Sequence, residues 1–152
     1  MANPDSVSQL YGSSFGSFAV ANAVTVSVGS TGNAVVALPI LSGGVTVGST
    51  AASSGGVIIR RVTVQNPSGN IGTANIAILT SNDGNASNAV VSNVVLSNLT
   101  AAGTYQDLTV ASPYSTTTVL TGNVSQALYV KVNTAVSGGT LDIRVYGDVV
   151  TF

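Results

Sequence analysis

The stretch Ala127–Val150, ALYVKVNTAVSGGTLDIRVYGDVV, decides how the rest of the chain is read. Leu128, Val130 and Val132 alternate with Tyr129, Lys131 and Asn133. After a loop, Leu141, Ile143, Val145 and Val149 alternate with Asp142, Arg144, Tyr146 and Asp148. Successive strand side chains point to opposite faces, so a period of two makes one apolar and one polar face. The simplest arrangement is a hairpin across Thr134 to Gly139, with Asn133 opposite Thr140. Lys131 then lies opposite Asp142, Tyr129 opposite Arg144, Val130 opposite Ile143 and Val132 opposite Leu141. Cross-strand pairs of this kind contribute roughly 0.2–1 kcal/mol each, which favours this register over a two-residue slip that loses the charge pair.

The same period runs back through the chain. Val24, Val26 and Val28 are expected to share a face. Ala34 to Leu41 is an apolar run whose Pro39 cannot donate to a ladder and so belongs at an edge or a bulge. Val45 to Val47 is a short candidate, and Gly48 to Gly56 is a linker of small residues. Val57 to Gln65 follows as a strand, stopped by the turn sequence Asn66-Pro67-Ser68-Gly69-Asn70. Further candidates are Ala74 to Leu79, Ala89 to Leu96, Tyr105 to Val110 and Thr117 to Leu120.

No apolar period near 3.6 is long enough for crossover helices, and there is no Glu, one Lys and one Met to build helix surfaces. The expected fold is all-β, an antiparallel β-sandwich of jelly-roll type spanning residues 23–152. Residues 1–22 read as an N-terminal arm in which Leu10, Tyr11, Phe15 and Phe18 stand among Ser and Gly. Such groups are expected to pack against a sister subunit, a partner or the chain's own domain.

Only 6% of residues are charged, against about 25% in a typical domain, and the net charge is -1. Charge repulsion protects such a surface poorly, which favours self-association. Four basic residues do not make a phosphate-tracking patch, so nucleic acid is not an expected partner. No run of about 18 apolar residues suggests a membrane span. No basic segment followed by an apolar one marks a secretory signal, and the absence of Cys agrees with folding in a reducing cytoplasm.

His, Cys, Trp and Glu are all missing, which removes most groups that move protons or bind metals near neutral pH. A Ser nucleophile would need Lys131 as its base, and a carboxylate opposite Lys131 would keep it charged. Asp142 and Asp148 share a strand face but would stand about 20 Å apart, beyond the roughly 5–9.5 Å of glycosidase pairs. A pair built from other strands, with Asp83 or Asp107, stays open. Asn82-Asp83-Gly84-Asn85 reads as a hairpin turn rather than a calcium loop. Of Arg60 and Arg61, adjacent on a strand, one is expected to face the apolar side and to find an Asp near an edge or an interface. No enzyme activity, cofactor or metal is expected.

With its arm, its near-absence of charge, and the segments Ile58 to Gly69 and Leu128 to Gly147, the chain resembles the decoration, or cement, proteins of tailed-bacteriophage capsids. The resemblance implies a trimer made in the host cytoplasm that binds the major capsid protein on the outer surface of the virion. Two other readings stand beside it. One is a carbohydrate- or receptor-binding module of a fibre or adhesin, in which Tyr105, Tyr114, Tyr129 or Tyr146 would stack on sugars. The other is a small shell subunit.

Overall fold

Alternating Val, Ile and Leu, separated by turns rich in Gly, Asn and Ser, commits this chain to strands. The computed structural model describes residues 18–39, 41–42, 45–46, 55–112, 120–121 and 127–151. The strands in order are β1 (Phe18–Ser27), β2 (Gly32–Pro39), β3 (Leu41–Ser42), β4 (Val45–Thr46), β5 (Gly55–Gln65), β6 (Asn75–Leu79), β7 (Ala89–Val95), β8 (Tyr105–Leu108), β9 (Leu120–Thr121), β10 (Ala127–Thr134) and β11 (Thr140–Thr151). One sheet has the order β1-β11-β5-β8, with β9 added to β5, and the other has the order β2-β10-β6-β7. A short ribbon pairs β3 with β4.

The eight longer strands pair from the outside inwards: β1 with β11, β2 with β10, β5 with β8, and β6 with β7, all antiparallel. The roll closes where β11 also joins β5 and β10 also joins β6. This is the winding of a jelly roll, a long antiparallel hairpin wrapped into two facing sheets. Pro39 ends β2 at the edge of its sheet, where a missing donor costs least.

The winding overturns the expected β10–β11 hairpin. In the roll only β6 and β7 are both consecutive and paired, so β10 and β11 lie in opposite sheets. Lys131 stands opposite Ala77 and Tyr129 opposite Leu79 and Ala37, whereas Asp142 stands opposite Gln65 and Arg144 opposite Thr63 and Asn22. The apolar alternation is nevertheless real. Val130, Val132, Leu141 and Ile143 are all buried in one core, contributed from its two sides. The loop from Ala135 to Gly139 crosses between the sheets: Val136 N–H donates to Val28 O at 3.0 Å, and Val28 N–H to Gly139 O at 2.9 Å.

The core joins Ile59, Val62, Val64, Leu141, Ile143 and Val145 of one sheet to Ile76, Ile78, Val91, Leu128, Val130 and Val132 of the other. Each such side chain contributes about 1.5–3 kcal/mol on burial. Ile71, Leu96 and Leu99, on loops, are buried with them, and Ile71 N–H donates to Leu99 O at 2.9 Å.

Among the register shifts of the two sheets, two change which side chains reach the outer face of the β1-β11-β5-β8 sheet. In β1, Ala23 pairs with Ile143 and Val26 with Leu141, so an extra residue is accommodated there, with Thr25 at a φ of 55°. Val24 is therefore 67% exposed while Val26 and Val28 are buried, and the three do not share a face. In β5, Arg61 pairs with Tyr146 but Ile59 with Gly147, which makes Arg60 the extra residue. A bulge turns two successive side chains to the same side, so Arg60 and Arg61 are both exposed and neither enters the core.

Candidate functional site

The expected arm lies mostly outside the described residues, Leu10, Tyr11 and Phe15 among them. Phe18 opens β1, opposite Gly147, so residues 18 to 22 belong to the sheet rather than to an arm. Tyr114 also lies outside the described residues.

Charge is divided unequally between the two outer faces. Arg60, Arg61, Asp107, Asp142, Arg144 and Asp148 all sit on the β1-β11-β5-β8 sheet and point away from its core, whereas the β2-β10-β6-β7 sheet carries Lys131, with Asp83 on its adjoining loop. Arg60 Nε donates to Asp148 Oδ2 at 2.6 Å, so the expected Asp partner is present although the expected burial is not. Asp142 receives Thr25 N–H on Oδ1 at 3.0 Å and the Asn66 amide on Oδ2 at 2.9 Å. Those two bonds, the Asn66 one foremost, hold its carboxyl below the usual carboxylate range, with the charge of Arg144 helping and burial opposing.

Next to these groups a basin of about 280 Å³ opens across β11, β5 and β8, lined among others by Arg61, Gln65, Asn66, Tyr105, Asp107 and Tyr146. Register brings them together, since Tyr146 is opposite Arg61, Asp107 opposite Thr63 and Tyr105 opposite Gln65. The Arg61 guanidinium lies 4.4 Å from the centroid of the Tyr146 ring, close enough for cation–π attraction. Thr63 Oγ1 donates to Asp107 Oδ1. Tyr105 is 65% exposed. Of the four tyrosines weighed for stacking, Tyr105 and Tyr146 meet here, while Tyr129 is on the opposite sheet. Arg61, Gln65 and Asp107 carry no motif that marks them in the sequence. Only strand order joins them.

The other outer face is built differently. Asn133 Nδ2 donates to Asn75 Oδ1 at 3.2 Å and to Asn93 Oδ1 at 3.0 Å, which ties three strands together through side-chain amides. Lys131 Nζ donates to Gly84 O at 2.9 Å, beneath the loop that joins β6 to β7. Ala77 and Leu79, which alternate with the core residues Ile76 and Ile78, are buried on this side and line a cavity of about 240 Å³ with Lys131 and Asn93. Asp83 is used within its own loop, taking Asn85 N–H on Oδ1 and the Asn88 amide on Oδ2, both at 2.9 Å. The Asn85 bond comes first among the causes that lower its pKa. Among the described residues no three Asp, Glu, His or Cys side chains gather where they could hold a metal ion. No helix among them is long and apolar enough to cross a membrane.

Comparison with known protein families, curated proteins and solved structures finds no match to this chain.

Proposed function

We propose that the chain is a non-enzymatic structural subunit, a decoration protein that seats as a trimer on the major capsid protein shell of a tailed-phage head. The observation that carries this reading is the outer face of the β2-β10-β6-β7 sheet. Its amides at Asn75, Asn93 and Asn133 bond one another, and Lys131, the one charged residue on its described strands, bonds a backbone carbonyl. Polar side chains that bond one another, with one charge among them, make such a face less costly to dehydrate than a strongly charged one. Depletion of charge is also what distinguishes the buried centre of protein interfaces. The jelly roll supplies a rigid body, and many copies on one shell convert weak single contacts into firm retention.

The test adds purified chain to heads lacking it, images the particles, and measures the mass of the free chain in solution. Trimeric density at three-fold positions of the shell is the expected result. A monomer that leaves the heads bare overturns the reading. Asn93→Lys places a charge in the proposed contact and should reduce occupancy without unfolding the exposed edge it occupies.

A further inference from the structure

We infer that the basin bounded by Tyr105, Arg61 and Asp107 is a binding site for a neutral pyranose sugar. This goes beyond the assembly reading and does not depend on it, since the basin lies on the other sheet.

An exposed tyrosine ring offers a flat, weakly negative face that suits the C–H face of a sugar ring, and it orders little when a ligand lands on it because it has only two side-chain torsions. Tyr105 is 65% exposed, on the edge strand β8. A pyranose also needs planar donors and acceptors at fixed angles around the platform. The Arg61 guanidinium, held over the Tyr146 ring, carries N–H donors. Asp107 is steadied through Oδ1 by the Thr63 hydroxyl, which leaves Oδ2 as an acceptor. Asn66 gives its amide N–H to Asp142 and so turns its carbonyl oxygen into an acceptor with a defined orientation. Gln65, opposite Tyr105, supplies both a donor and an acceptor.

Charge and size narrow the class. Arg61 and Asp107 balance each other within the basin, so a phosphate or sulfate gains no net attraction there. The volume of about 280 Å³ lies just below the roughly 300–1,000 Å³ of common small-molecule sites, which suits contact with one or two sugar rings. A shallow site of this kind holds a sugar weakly, and an array of copies would multiply its retention.

The experiment is a titration of the full, isotopically labelled chain, followed by backbone amide NMR, with free glucose, galactose, mannose, N-acetylglucosamine and their disaccharides. At least one probe is expected to move the amide signals of Gln65, Tyr105 and Asp107 in a saturable way. Tyr105→Phe keeps the platform and should keep the binding, whereas Tyr105→Ala should weaken it by about tenfold or more. Both variants change an exposed side chain, so a dispersed spectrum checks that the fold is intact. The inference is overturned if no probe moves these signals, or if the shifts persist undiminished in Tyr105→Ala. Sugar binding by a chain that leaves heads bare would support the site while removing the assembly reading.

Discussion

The Asp142 carboxylate accepts the backbone N–H of Thr25 at 3.0 Å across 117 residues of chain. Its other oxygen accepts the side-chain amide of Asn66. Thr25 and Asn66 have φ of 55° and 51° and are the non-glycine residues with positive φ among those described. Such conformations cost about 1–3 kcal/mol each and persist where the surroundings hold them. One side chain on β11 therefore secures the bulge of β1 on one flank and the exit from β5 on the other.

Replacing Asp142 should expose that role. Asp142→Ala is expected to lower stability by about 1 kcal/mol, below the roughly 1.5–3 kcal/mol of bonds to a charged group because solvent screens the part-exposed site. Asp142→Asn keeps one acceptor and should fall between the two. Urea denaturation monitored by circular dichroism measures both, and equal stability of all three would show that the bulge holds itself.

Acid should weaken the fold through the same group. A carboxylate whose folded pKa is depressed contributes fully above its unfolded pKa, and the contribution disappears as pH falls through the folded value. Asp142 and Asp83 are both depressed. Stability should therefore be level near neutrality and fall from about pH 4 downward. Asp142→Ala should flatten that fall, as denaturation midpoints across the pH range would reveal.

Arg60 separates the value of an ion pair from that of a spacer. Its bond to Asp148 joins side chains that are 40% and 41% exposed, so Arg60→Ala should cost less than about 1 kcal/mol. Deleting Arg60 instead removes the bulge and leaves Ile59 opposite Gly147 and Arg61 opposite Tyr146 in an unbroken ladder, so residues 55 to 59 keep both their faces and their pairing with β11. Ile59 stays turned to the core, and thermal melting should show a loss comparable with that of Arg60→Ala; a loss several times larger would show that the bulge itself is needed.

Gly139 is held by its neighbours rather than by its backbone angles. A Cβ there would lie 2.9 Å from Ile71 Cγ2, 2.9 Å from Val136 O and 3.0 Å from Val28 Cγ2. Gly139→Ala should therefore cost about 1–3 kcal/mol through overpacking, whereas Gly69→Ala, with open space at the same distance, should be nearly neutral.

The placement of β10 can be checked by cross-linking. Lys131→Cys with Ala77→Cys joins directly opposed residues of adjacent strands and should oxidise readily. Lys131→Cys with Asp142→Cys should not, since those residues stand on the outer sides of opposite sheets.

Strand identity was legible in the sequence because it is a local property. Val57 to Gln65, Ala89 to Leu96 and Thr140 to Val150 fall within a residue or two of β5, β7 and β11. Partnership was not, because Lys131 opposite Asp142 satisfies the same local rules as Lys131 opposite Ala77. The jelly-roll expectation itself ruled out the hairpin, since only the innermost strands of such a roll are both consecutive and paired. The bulges at Thr25 and Arg60 also escaped, because neither carries the glycine that commonly marks left-handed or irregular backbone. Tyr105 was visible as a candidate for stacking, but its companions at Arg61 and Asp107 depend on which strands become neighbours.

The pairing of β1 with β11 also governs the timing of folding. The earliest described strand and the latest lie side by side, so β1 emerges from the ribosome long before its neighbour exists. Closing so large a loop postpones the reward for ordering, which predicts slow folding and a nascent chain that leaves an unpaired β-edge open to other chains until β11 has emerged.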